Sequence, residues 1–387
     1  MTAFLWIWLI AQATGVALVW LFTLGLGRPV RLNATPRVAV VVAVKGHDEE
    51  FDEFLVRLFE QDYPAFRVIF SVESAADAAV PAIEQCRAMA PERVSLVVAG
   101  TRRDEGQKTT NLRAAVATLT PDDEILVLAD ADIWPEPDWL ARVVAPLVAD
   151  EADVVSGFAW LVVKDNHLSS FVLTAMAASI ATLPRLPLLN PAWGGCIAMK
   201  QDTFRDLGIA DAWRGTLSDD LQLTNVVQQA GGRIRAPREI LLRTAITTGG
   251  FAAVTAEARR WFMLARVYMP FAYWTTLAAM SFSALGWILS VVGTLALQRD
   301  AAVVLVLALA LGVIRSFGRA RLVTKLWGQS GSAENARYLR FDFLVSPLAT
   351  VLNAIYGWSA LTLTRTTWAG ITYEVMGPQE VLVVKRK

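Results

Sequence analysis

The chain has 387 residues, is 55% hydrophobic and only 19% charged, shows a mean hydropathy of +0.42 and carries no formal net charge. An ordinary soluble domain is less apolar and more charged, so membrane segments joined to a globular part are expected. The neutral balance gives no argument for a nucleic-acid partner, and two cysteines and two histidines exclude a disulfide framework, a cysteine-rich zinc site and a HExxH metal site.

Residues 3–27 carry no charge. As a helix they would measure roughly 37 Å, enough to cross a bilayer with some tilt. No basic residue precedes the run, which reads as an uncleaved anchor spanning about residues 1–30. Arg28, Arg31 and Arg37 follow it, so the positive-inside rule places the next domain in the cytoplasm. An integral, multi-pass protein of the bacterial inner membrane is the expected setting.

From residue 37 to about 245 the pattern changes. "RVAVVVAVK" (37–45), "FRVIFSV" (66–72), "RVSLVVA" (93–99) and "EILVLAD" (124–130) read as buried strands rich in β-branched residues. Amphipathic stretches near 49–60, 79–90 and 107–119 lie between them. Repeated βα units imply an α/β domain with a mostly parallel sheet, whose ligands sit at the carboxyl ends of the strands. Two later stretches have interfacial character: residues 167–189, apolar but short of a clean span, and residues 254–271, where Arg259, Arg260 and Arg266 mix with Trp261, Phe262 and Tyr268. An interfacial helix is expected over 250–270, then a membrane cluster over 271–365. Its segments are 271–298, 301–314 and 343–364, with a basic cytoplasmic loop at 315–340. A full third span would leave the tail, 366–387, outside, whereas its closing Lys385-Arg386-Lys387 prefers the inside.

The chemistry gathers at strand ends. In "ILVLADADIWP" (125–135), Asp130 and Asp132 stand one residue apart, so in extended backbone both point the same way. Two such carboxylates need a positive partner, and a divalent cation that also bridges a nucleoside diphosphate would provide one. Alone, the pair could equally be an acidic loop. Asp219 and Asp220 in "LSDDLQL" form a second pair. Ser218 with acids in the first helical turn is an ordinary N-cap, but one carboxylate facing a donor site could deprotonate an acceptor hydroxyl. "GQKTTNL" (106–112) starts a helix with Lys108 and Asn111, either solvated or in contact with a nucleotide. In "PAWGGCIAMK" (191–200), Trp193, Gly194 and Gly195 form either a turn or a close backbone approach to a sugar or acceptor.

Together these segments, in this order, resemble the membrane-bound A-fold (GT-A, Rossmann-like) glycosyltransferases, most closely the ceramide glucosyltransferase family, over nearly the whole chain. "VVAVKGHDEEFDEFLVRLFEQDYP" (41–64) resembles the family's opening strand and helix with its Lys-Gly pair, here Lys45-Gly46. "EGQKTTNL" resembles its Asn-x-Lys-x-x-Asn-Leu segment, "DADIWPEPDWL" its metal-binding aspartates, "GGCIAMK" its acceptor-side loop and "SDDLQL" its Glu-Asp motif. The resemblance implies a nucleotide-sugar donor, most simply UDP-glucose, with Mg²⁺ or Mn²⁺ held by Asp130 and Asp132. It implies a donor pocket that includes Lys45, Lys108, Asn111 and either Glu73 or Asp77, of which Glu73 is favoured because it lies just past a strand end. Trp193, Gly194, Gly195 and Asp219 would face the acceptor, and Asp220 would act as catalytic base. The last family motif, Gln/Arg-x-x-Arg-Trp, appears as Glu257-Ala258-Arg259-Arg260-Trp261. Arg260 and Trp261, which the family uses at the diphosphate and acceptor end, match. Glu257 departs, and an acid there would repel a diphosphate unless it points elsewhere. The implied acceptor is a membrane lipid hydroxyl, ceramide first, with a hopanoid, a diacylglycerol or a polyprenyl phosphate as rivals. A membrane scaffold with decayed transferase motifs is the non-enzymatic alternative.

Overall fold

The computed structural model describes residues 1–27, 32–183 and 190–386. Arg28 and Arg31 of the basic flank, residues 184–189 of the first interfacial stretch, and Lys387 lie outside the described residues. The chain forms two compact units. One contains residues 32–159, 190–244 and 364–386; the other contains residues 1–27, 160–183 and 245–363.

The strands in chain order are β1 (Val38–Val44), β2 (Phe66–Val72), β3 (Val94–Val98), β4 (Ile125–Ala129), β5 (Ile133–Trp134), β6 (Val154–Ser156) and β7 (Phe158–Val163). They continue with β8 (Cys196–Lys200), β9 (Ile234–Arg235), β10 (Leu241–Ile246), β11 (Arg365–Trp368), β12 (Ile371–Gly377) and β13 (Glu380–Arg386). The first unit is built on a seven-stranded sheet in the order β3-β2-β1-β4-β8-β6-β9. Strands β3, β2, β1 and β4 run parallel, and β8 runs antiparallel between β4 and β6.

The expected strands form because both faces of this sheet are covered. Along β1, Val38, Val40, Val42 and Val44 enter one hydrophobic cluster, while Ala39 and Val41 enter the other. β4 alternates likewise, with Ile125 and Val127 on the first face and Leu126 and Leu128 on the second. A strand buried on both faces reads as a continuous apolar run. Helices Glu49–Phe59, Val80–Met89 and Trp139–Val148 cover the first face; Gln107–Val116 and Asp219–Gln229 help cover the second. Asp48 starts the first of these helices by accepting a hydrogen bond from Phe51 N at 3.0 Å, with Glu49, Glu50 and Asp52 in the first turn. The carboxyl ends of β1 and β4 therefore open together at one edge of the sheet, in register from Val38↔Ile125 to Val42↔Ala129.

The tail is not a free tail. β11, β12 and β13 form an antiparallel three-stranded sheet that belongs to the same unit. Val383 N donates to Arg103 O at 2.8 Å, and Gln379 Nε2 donates to Ala212 O at 3.0 Å.

The second unit is helical. Among the described residues, three helices are long and apolar enough to cross a membrane: Thr2–Leu24, Pro270–Leu295 and Arg299–Ser359. Trp8 packs edge-on to Trp287 at 5.0 Å, and a Cβ on Gly286 would meet the Trp8 ring at 2.4 Å. A small residue thus lets two helices approach closely. The segments expected at 301–314 and 343–364 fall largely on the single helix Arg299–Ser359, bent at Gly328 (φ 65°). The expected cytoplasmic loop at 315–340 is instead helix. Its charges are partly spent inside: Arg319 Nη1 meets Asp342 Oδ1 at 2.6 Å, with both side chains buried. The two interfacial stretches contain helices Leu168–Ala181 and Phe251–Tyr268. In the latter, Arg259 and Arg266 donate to the carbonyls of Ser359 and Leu363, at 3.2 and 2.7 Å. Cations there complement the carbonyl end of the long helix.

Candidate active site

The positive partner of the Asp130/Asp132 pair is, in this structure, a lysine. Lys108 Nζ, in the first turn of helix Gln107–Val116, lies 2.7 Å from Asp130 Oδ1 and 3.5 Å from Asp219 Oδ1, and it donates to Gly194 O at 3.1 Å. One ammonium thus joins three segments distant in sequence. Burial alone would lower its pKa, but Asp130, Asp219 and Asp220 more than reverse this, and Lys108 stays charged.

The two acids of the second pair are not equivalent. Asp219 is 1% exposed, and its Oδ2 has no hydrogen-bond partner. Burial, only partly offset by Lys108, pushes its carboxyl up to about 7. Asp220 remains partly accessible. Its Oδ2 accepts from Gly194 N at 2.9 Å, and its Oδ1 accepts from Ser218 Oγ at 2.5 Å and Leu221 N at 2.8 Å. Ser218 makes no side-chain cap to the helix behind it. Its hydroxyl orients Asp220 instead, which an ordinary N-cap would not do. A Cβ on Gly194 would come within 2.9 Å of Lys108 Nζ and 3.2 Å of Asp220 Oδ2. Glycine is therefore required there by close approach. Gly195 packs as tightly: its Cβ would meet the Trp193 ring at 2.3 Å.

The raised Asp219 carboxyl has a consequence for stability. Its pKa is about 7 when folded, against 3.8 for the free group, so the folded state holds this proton more tightly. Stability from this source is present below about pH 4 and is lost as pH rises through 7. Asp219→Asn is expected to flatten that dependence. The melting temperature of the detergent-solubilised variant, without divalent ion, should fall less between pH 5 and pH 8 than that of the parent. An equal fall in both proteins would reject the assignment.

A cavity of about 280 Å³ lies at the carboxyl ends of β1 and β4, lined in part by Lys45, Asp48, Lys108, Asn111, Asp130 and Asp132. A larger one, about 510 Å³, opens at the opposite edge, beside Pro36, Ile125 and Lys200. Ligands of open parallel sheets bind at the carboxyl edge, which favours the smaller cavity. Asp132 is solvent-accessible there, yet the protein crowding its carboxylate, with Asp130 beside it, pushes its pKa up to about 7. Lys45 pairs with Glu73 at 2.9 Å, and the second Glu73 oxygen meets Arg386 Nη1 at 2.6 Å. Asp77 accepts from Gly46 N at 3.0 Å and Ala79 N at 2.9 Å, shaping the turn after β1. Asn111 is buried, donates to Ser71 O at 3.2 Å and accepts from Gln107 Nε2 at 2.9 Å. Glu73, Asp77 and Asn111 are therefore committed to protein partners.

Arg260 and Trp261 lie on helix Phe251–Tyr268 of the helical unit. Both donate to Glu257 Oε1, at 2.5 and 2.7 Å. The departing acid is thus paired in charge with Arg260 and hydrogen-bonded by Trp261, the two residues that match the motif. Nothing in the sequence points to Asp48 or Tyr373 at this site, to Ser218 as the residue that orients Asp220, or to Arg386 as the partner of Glu73. Asp48 carried a visible N-cap signal, whereas the others are recognisable only through their spatial partners.

The model of the family described as "Glycosyl transferase family 21" matches residues 4–380. The chain belongs to glycosyl transferase family 21. A solved mannosyltransferase, PcManGT from Pyrobaculum calidifontis, in complex with GDP-Man and Mn²⁺, is similar at 20% identity and a TM-score of 0.51, over 85% of this chain and 99% of that one. TarS from S. aureus is matched at 12% identity and a TM-score of 0.38, over 91% of this chain and 100% of that one. The P. calidifontis likeness supports the GT-A fold: a mostly parallel α/β sheet, here joined to helices long and apolar enough to cross a membrane. As a family 21 member, the protein is a glycosyltransferase, and the cluster around Lys108 is its candidate active site.

Among the described residues no group of three or more His, Cys, Asp or Glu side chains is arranged to hold a metal ion. Two carboxylates do face the pocket mouth, and Mg²⁺-type sites commonly use one or two carboxylates with substrate phosphates completing the shell. Asp130 and Asp132 fit such a shared site.

Proposed function

We propose that this family 21 protein moves a hexose from a UDP-sugar, most simply glucose from UDP-glucose, to a membrane lipid hydroxyl, with ceramide as the first candidate acceptor, and inverts the configuration to β. The observation that carries this reading is Asp220, an accessible carboxylate held by three donors and set apart from the Asp130/Asp132 pair by Lys108. A base must be positioned before it can be useful, and Gly194, Ser218 and Leu221 hold Asp220 in place. Asp220 takes the proton of the acceptor hydroxyl. The freed oxygen attacks the anomeric carbon opposite the diphosphate, the carbon–oxygen bond to the diphosphate breaks, and UDP leaves. Asp130 and Asp132 would hold the divalent ion, Mg²⁺ or Mn²⁺, whose charge would stabilise the leaving diphosphate. Lys108 keeps the surrounding acids from repelling the donor.

The ion pair of Glu257 with Arg260, and its hydrogen bond from Trp261, support the transferase reading over a decayed scaffold, because the acid at this motif position is not left unpaired. The helical unit fits an integral membrane setting, with the sheet unit on the cytoplasmic face. Residues 32–159, 190–244 and 364–386 belong to one compact unit, which supports a reading in which the chain between 245 and 363 leaves the membrane on the side where it entered. That reading takes an even number of crossings between 245 and 363, with the charge-bearing second arm of the long helix re-entrant or interfacial. The basic end of the tail then lies inside, as its charge prefers.

The test is turnover by the purified protein in detergent. UDP-glucose, UDP-galactose and GDP-mannose are offered with Mg²⁺ or Mn²⁺, against ceramide, diacylglycerol and a bacterial lipid extract, with and without chelator. A β-glycolipid formed from a UDP-hexose and lost with chelator is the expected result. Absence of transfer from every donor would overturn the reading.

A further inference from the structure

The donor cavity has a wall that the sheet domain alone does not supply. Trp368, Ile371 and Tyr373, from β11 and β12, line it together with Lys108, Asp130 and Asp132. These strands come from the far end of the chain, beyond the last long helix. They are fastened at several points around the pocket. Tyr373 Oη accepts from Gln107 N at 3.1 Å, next to Lys108. Arg386 donates to Glu73 Oε1 at 2.6 Å, Gln107 Oε1 at 2.9 Å and Arg102 O at 2.7 Å. The turn that presents this wall is tight, with Ala369 and Gly370 both left-handed (φ 47° and 76°), as a two-residue hairpin turn requires.

The aromatic residues on the cavity are not equivalent. Phe51 and Tyr373 are each 2% exposed, the first packed in the core and the second holding Gln107. Trp368, beside the turn, is less buried than either and lines the cavity. The pocket thus combines a charged end, at Lys108, Asp130 and Asp132, with an aromatic wall. A nucleoside diphosphate has the matching halves: a charged diphosphate and a flat base that stacks on aromatic faces.

We infer that the C-terminal sheet is a working wall of the donor pocket, with Trp368 as the surface on which the nucleotide base stacks and Arg386 as the clasp that holds the wall in place. This rests on the nucleotide-sugar reading above. Trp368 is then a binding residue, and Arg386 a positioning residue.

The experiment measures binding of UDP, and separately of inorganic pyrophosphate, to the full-length protein in detergent with Mn²⁺, by calorimetry. Trp368→Ala is expected to weaken UDP binding about tenfold or more, the scale of lost base stacking. Trp368→Phe should recover most of that loss, and pyrophosphate affinity should not change in either variant. Arg386→Ala should weaken UDP more than pyrophosphate. UDP binding within about twofold of the parent in Trp368→Ala, or equal losses for UDP and pyrophosphate, would overturn the inference while leaving the transferase reading intact. A parent protein that binds neither UDP nor pyrophosphate would overturn both.

Discussion

Asp220→Asn is expected to abolish glycolipid formation, lowering turnover by about 10²–10⁴-fold, while UDP affinity stays within about twofold of the parent. The substitution changes charge and basicity with almost no change in volume. In the parent, Gly194 N–H, Ser218 O–H and Leu221 N–H all donate to this carboxylate. An amide can accept on one side only, so its NH₂ must face a donor on the other. Some local disturbance is therefore part of the substitution, and the UDP measurement separates it from loss of the base: a variant that binds donor normally yet fails to transfer has lost proton abstraction. Ser218→Ala supplies the graded comparison. It keeps the carboxylate and two of its donors, so it should lose much less turnover. Near-parental turnover by Asp220→Asn would remove Asp220 from the role of base and return the assignment to the other acids of the site.

The sequence readily reveals the sheet because β1 and β4 are buried on both faces, and burial of that kind writes an unbroken apolar run into the chain. It also reveals Asp130 and Asp132, because two acids directly after such a run need a reason. Lys108 as the common partner of Asp130 and Asp219 is not legible, since more than twenty residues separate it from the first and more than a hundred from the second. The C-terminal sheet is a different case. "ITYEVMG" and "EVLVVKR" alternate in strand fashion on either side of a Gly-Pro turn, and "WAG" signals the hairpin before them. Those signals were present, but a segment following a membrane span reads as a tail until its partners are seen. The stretch 315–340 misled for an electrostatic reason. Six basic residues and one acid read as a solvated loop, whereas Arg319 finds its counter-charge at Asp342, just beyond the stretch, across the bend at Gly328.

That pair carries the second large effect. Asp342→Ala should destabilise the protein by about 3–5 kcal/mol, because it leaves the Arg319 guanidinium buried without its counter-ion. Asp342 is 0% exposed and collects four donors: Arg319 Nη1 at 2.6 Å, Ser316 Oγ at 2.7 Å, Tyr338 Oη at 2.5 Å and Ser346 Oγ at 3.1 Å. Two of the four come from the arm before Gly328 and two from the arm after it, so one carboxylate ties the bent helix to itself. Ionisable groups inside membrane helices persist only where they are paired in this way. The decisive comparison is the double variant Arg319→Met/Asp342→Leu. Removing both charges together deletes the attraction and the desolvation cost at once, and such replacements are often neutral or stabilising. Denaturation in detergent should therefore rank the proteins in an informative order: Asp342→Ala far below the parent, and the double variant close to it. If the double variant fell as far as Asp342→Ala, the loss would come from packing and from the orphaned hydroxyls of Ser316, Tyr338 and Ser346 rather than from the unpaired arginine. If Asp342→Ala were as stable as the parent, the bend at Gly328 would be held by its apolar contacts alone.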